Sequence, residues 1–71
     1  MTNSKELEAA IAKAKITKKS IAKALEISEM SLLRKINNKT EFKASEIATL
    51  KSLLKLNDFE RDKIFFALSS D

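Results

Sequence analysis

The chain has 71 residues and a formal net charge of +4, and it contains no Cys, His, Gly or Pro. That length provides one hydrophobic core and no second domain, and nine Leu, seven Ile and four Phe are enough to fill a small helical bundle. The missing Cys and His exclude a disulfide framework and take away the usual ligands of a structural zinc site.

Taken in order, the chain opens with Asn3 or Ser4 as the cap of a first helix running to about Ala14. Leu7, Ile11 and Ala14 form its apolar stripe at i, i+4 and i+7. Glu6 and Glu8 sit near the positive end of the helix dipole, and Lys13 and Lys15 near the negative end. Ile16 fills an apolar slot. Thr17 then caps a second helix, Lys18–Leu25, with Ile21, Ala22 and Leu25 on one face. Lys18 and Lys19 fall in its first turn, where the dipole disfavours cations. A docked anion would account for them, and so would plain solvation.

Ser28 precedes a third amphipathic segment, Glu29–Ile36, in which Leu32 and Ile36 repeat at i, i+4. Helix, short turn and capped helix is the layout of a helix-turn-helix unit, whose second helix is presented to a partner. With Leu32 and Ile36 turned inward, the outward residues are Glu29, Met30, Leu33, Arg34 and Asn37. On DNA, Arg34 would suit a guanine edge and Asn37 an adenine edge. Met30 and Leu33 offer a thymine methyl contact at best, but they would also serve as apolar anchors in a protein interface. Glu29 opposes the negative groove unless it accepts from a cytosine amino group. The face is half base-reading and half protein-binding.

Residues 37–43 read as a polar loop with Phe42 as its apolar anchor. Asn37-Asn38 stands in for glycine after the third helix, because Asn tolerates the left-handed conformation. A fourth helix is predicted over Ala44–Leu54, burying Ile47, Leu50, Leu53 and Leu54. Asn57-Asp58-Phe59-Glu60 has the spacing of a capping box and opens a fifth helix with Ile64, Phe65, Phe66 and Leu68 as its apolar residues. Two adjacent phenylalanines lie 100° apart on a helix, so a small bundle does not hide both completely. Residues 69–71 are expected to fray.

Charge is unevenly spread. Residues 1–43 hold ten Lys/Arg against five acids, giving +5, whereas residues 44–71 hold four against five, giving −1. The basic excess lies in the half with the helix-turn-helix pattern, which suits a phosphate-facing surface. A lysine-rich solubilising surface is the alternative. Without His or Cys the common catalytic bases and nucleophiles are absent, and without Gly no phosphate-cradling loop can be built. No enzyme and no cofactor is expected. No apolar run reaches membrane-spanning length and no secretory signal pattern is present, so a cytoplasmic protein is expected.

The residues Ala22, Ile27, Leu32 and Ile36, followed by INNKTEFKASEI, resemble the lambda-repressor-like helix-turn-helix family, the Cro and repressor proteins of temperate phages and their bacterial relatives. The resemblance covers residues 5–68 and implies an all-α, five-helix lambda-repressor-like bundle acting in a bacterial host. Lys15 and Glu26 stand where that family prefers Gly, which implies a left-handed residue at Glu26. The resemblance also implies that Lys18 touches a phosphate. It points to a transcriptional regulator of a lysis–lysogeny switch whose third helix enters the major groove of operator DNA. The binding residues would be Lys18, Lys19, Ser28, Glu29, Met30, Leu33, Arg34, Asn37, Lys39 and Lys43. The alternative is an antirepressor, a modulator of repression that uses the same face of the third helix to bind the DNA-binding domain of the cognate phage repressor. A homodimer is a further expectation, because a core this small is marginal.

Overall fold

Five helices follow one another in the computed structural model, which describes residues 1–66: α1 (Ser4–Ala14), α2 (Lys18–Leu25), α3 (Glu29–Ile36), α4 (Ala44–Leu53) and α5 (Asp58–Phe65). The expected Leu68 contact and the tail at 69–71 lie outside the described residues. The fold is an all-helical five-helix bundle, with no strand among the described residues. α2 packs on both α3 and α4, while α5 closes the other side against α1 and α4.

The helices start where side-chain acceptors satisfy the first free N–H groups. Asn3 Oδ1 accepts from the Glu6 N–H at 3.1 Å, Thr17 Oγ1 from Ser20 at 3.0 Å and Ser28 Oγ from Ser31 at 3.0 Å. At α5 the capping box is complete: Asn57 Oδ1 accepts from the Glu60 N–H at 2.7 Å, and Glu60 Oε1 accepts from the Asn57 N–H at 2.8 Å. α4 has only half of this arrangement. Lys43 has no side-chain acceptor to offer, but Glu46 Oε1 reaches back to the Lys43 N–H at 2.8 Å.

The helices end without glycine. Lys15, Glu26, Asn38 and Lys55 all adopt the left-handed conformation, with φ between 54° and 63°. After Glu26 the Ile27 N–H bonds to the Ala22 carbonyl at 3.0 Å and the Glu26 N–H to Lys23 at 3.1 Å. This pair of bonds is the Schellman closure, and it recurs at Asn38 and at Lys55. Left-handed Glu26 and Asn38 agree with the sequence reading. Lys55 was not anticipated, since nothing in Leu54-Lys55-Leu56 marks a residue tolerant of positive φ.

The core joins Leu7 and Ile11 of α1, Ile21 and Ala22 of α2, and Leu32 and Ile36 of α3 to Ile47, Leu50, Leu54, Ile64 and Phe65. Phe42 packs on it edge-to-face against Phe65, with ring centroids 5.4 Å apart. Leu53 departs from expectation: it is exposed. α4 stops at Leu53, and Leu54 continues the inward stripe of Ile47 and Leu50 at i, i+3 and i+7, whereas Leu53 lies at the edge of that stripe. Of the two phenylalanines, Phe65 is buried and Phe66 exposed, as their angular separation requires.

Candidate binding surface on the third helix

α3 is the best-defined presenting element. A three-residue connection, Glu26-Ile27-Ser28, follows α2, and Ile27 packs against the core. Leu32 and Ile36 are fully buried, which fixes the rotation of α3 about its axis. Met30, Leu33, Arg34 and Asn37 therefore form one exposed stripe at i, i+3, i+4 and i+7. Met30 is 60% and Leu33 39% accessible, high for apolar side chains in so small a domain. Glu29 lies beside them in the first turn, where its charge favours the helix dipole. Ser28 is committed to the helix itself, through its bond to the Ser31 N–H and a 3.1 Å contact between the two hydroxyls.

The other expected residues fall into two groups. Lys19, Lys39 and Lys43 are exposed, and like Arg34 they form no ion pair among the described residues. Lys18 instead has a protein partner, Glu8 of α1, at 2.9 Å. That pair supplies an internal reason for a lysine at the start of α2. Lys43, at the cap of α4, repeats the placement of Lys18 and Lys19: a cation at the positive end of a helix.

Two residues that sequence reasoning left without a role stand behind this surface. Lys35 and Glu46 are 9% and 6% accessible and form an ion pair, Nζ to Oε1, at 3.2 Å. Lys35 Nζ also donates to the Glu41 carbonyl at 3.0 Å and lies 6.0 Å from the centre of the Phe42 ring. A signal was available. Lys35 lies between Leu32 and Ile36 on the inward side of α3, and Glu46 precedes Ile47 and lies four residues before Leu50. On the other flank, Asn38 Oδ1 accepts from the Thr2 N–H and Asn38 Nδ2 donates to the Thr2 carbonyl, both at 2.9 Å, and the Ser4 hydroxyl donates to the Ile36 carbonyl.

A well-formed concavity lies elsewhere. A groove of about 670 Å³ runs between α1 and the α4–α5 corner and takes no residue from α2 or α3. The exposed α3 stripe lies outside that groove. No helix among the described residues is long and apolar enough to cross a membrane.

No match to the chain was found among curated proteins or among solved structures. A family pattern described as "Protein of unknown function (DUF739)" does match, over residues 3–68, a span that contains all five helices. With nearly its whole length inside that match, the chain belongs to the DUF739 family.

Proposed function

We propose that the protein is a DNA-binding transcriptional regulator of the temperate-phage type, acting on a lysis–lysogeny switch. α3 would lie in the major groove of operator DNA. The observation that carries the reading is the pairing of Arg34 and Asn37 on one exposed stripe, with Arg34 unpaired among the described residues and a buried face holding the helix in place. A guanidinium and an amide one turn apart are the two side chains best matched to guanine and adenine edges. Lys19, Lys39 and Lys43 would neutralise flanking phosphates. Lys18 would join them only by sharing or leaving Glu8.

The test is selection from a random duplex pool, followed by titration of the selected sequence over a range of salt. The reading expects a recovered consensus and binding that weakens as a power of salt concentration. Equal, weak binding to selected and scrambled duplexes would contradict it.

A second reading has its own support. Met30 and Leu33 occupy half of the α3 stripe, and both are accessible. Apolar side chains of this kind anchor protein interfaces better than they read bases. On this reading the protein is an antirepressor whose α3 covers the DNA-binding domain of the cognate phage repressor. Titration of that isolated domain tests it, with saturable binding expected that survives high salt.

A further inference from the structure

Several part-buried polar ties converge on the end of α3. Lys35 Nζ reaches Glu46 and the Glu41 carbonyl, the Ile36 carbonyl accepts from Ser4, and the Asn38 side chain is held at both ends by Thr2. Glu46 closes the circuit by accepting from the Lys43 N–H at 2.8 Å. Together these bonds fasten the last turn of α3, the middle of the following loop and the cap of α4.

An apolar residue at position 35 would be the simpler choice. It faces inward beside Ile36, and a buried ion pair is commonly no more stabilising than apolar side chains of equal volume. What a methyl group cannot do is hold a carbonyl. The loop between α3 and α4 has no Gly or Pro and only Phe42 as an apolar anchor, yet it carries Lys39 and leads to Lys43. Lys35 bonds the loop at Glu41, and Glu46 bonds its end at Lys43.

We propose that Lys35 and Glu46 are positioning residues, which lock the loop to α3 so that Lys39, Lys43 and the α3 stripe meet a partner as one preformed surface. The inference rests on the reading of that stripe as the contact surface. A preformed surface avoids the ordering cost of binding, and rigid support behind a contact residue sets its geometry.

The experiment compares wild type with the Lys35→Met/Glu46→Leu double variant, which removes both charges at similar volume. Backbone amide relaxation measured by NMR gives the order parameters of Thr40–Phe42, with Leu7, Leu32 and Leu50 as core reporters. The brace predicts that the loop values fall from about 0.85 in wild type to below about 0.6 in the double variant while the core reporters hold. A second arm measures Lys43→Gln in both backgrounds against a short mixed-sequence duplex at low salt. The expected result is several-fold weaker binding in the wild-type background and almost no effect in the double variant, because a loosened loop no longer places Lys43. Unchanged loop order parameters, or an equal Lys43 effect in both backgrounds, overturn the brace. If wild type itself binds no duplex, the DNA reading fails, and the relaxation arm alone judges the brace. Should the double variant not fold, Glu46→Gln takes its place. It keeps an oxygen for the Lys43 N–H but drops the ion pair, so order parameters should fall at Glu41 and Phe42 more than at Lys43; unchanged values at all three overturn the proposal.

Discussion

At Glu26 the chain puts a charged residue with a Cβ where φ is 59° and ψ is 41°, a conformation that costs an L-residue about 1–2 kcal/mol relative to its ordinary helical one. Glycine there would relieve that cost but would add entropy to the unfolded chain, which offsets about 0.4–1 kcal/mol of the gain. Glu26→Gly is therefore expected to leave the unfolding free energy unchanged or raise it by up to about 1.6 kcal/mol in urea titrations. A loss of more than about 1 kcal/mol would mean that the Glu26 side chain contributes something its position does not suggest. Asn38 shares the conformation but not the outcome. Its amide holds both the N–H and the carbonyl of Thr2, so Asn38→Gly should destabilise where Glu26→Gly does not. The sequence made Glu26 and Asn38 legible, the first through the resemblance and the second through the local chemistry of Asn. Lys55 was not legible, because lysine carries no local preference for positive φ and only the packing of Leu54 and Leu56 selects it.

Among the elements, α1, α2, α3 and α5 were readable because a hydroxyl or amide cap precedes an apolar stripe in each. The inward and outward sides of α3 follow from Leu32 and Ile36 alone. α4 ends one residue before the expected Leu54, and Leu53, expected inside together with Leu54, is exposed because it lies at the edge of the Ile47–Leu50–Leu54 stripe. The ion pair behind α3 was missed because Lys and Glu are ordinarily solvated, and only tertiary packing brings residues 35 and 46 together. Removing one partner should be costly: Glu46→Leu alone is expected to lose about 3–5 kcal/mol, whereas Lys35→Met/Glu46→Leu recovers most of it. A loss in the double variant equal to the sum of the losses of Lys35→Met and Glu46→Leu in thermal unfolding would show that the charges act independently. At the α4–α5 corner, Lys51 bonds Asp58 at 2.7 Å and, with Arg61 nearby, holds the Asp58 carboxyl below the usual carboxylate range. Its folded pKa is thus below its unfolded value, so the contribution is complete above the unfolded value and fades as pH falls through the folded one. Asp58→Asn should flatten the acid limb of stability against pH by lowering stability modestly at neutral pH and hardly at all below the folded pKa, which unfolding titrations at several pH values would check.

For the molecule as a whole, charge and fold act together. The +5 half supplies α2, α3 and the loop before α4, while the −1 half supplies the helices that close the core. Lys19, Lys39 and Lys43 are free among the described residues, so replacing all three by Gln should weaken DNA binding without regard to sequence. The log–log salt slope should shrink by at most about three. Lys18→Gln should do less than the others, because Glu8 already holds that side chain. An unchanged slope would return these lysines to the role of a solvated surface.

In the proposed function the α3 stripe reads DNA through Arg34 and Asn37. The most direct measurement titrates three proteins, wild type, Arg34→Ala/Asn37→Ala and Met30→Ala/Leu33→Ala, against the selected duplex and against a version with each contacted base changed. The Arg34/Asn37 variant is expected to lose discrimination between the two duplexes, about 1–3 kcal/mol for each side chain removed, while the Met30/Leu33 variant keeps most of it. Wild type that binds both duplexes alike, in the non-specific range of about 10⁻⁴–10⁻⁶ M, together with tight binding of the repressor domain lost with Met30 and Leu33, would contradict it.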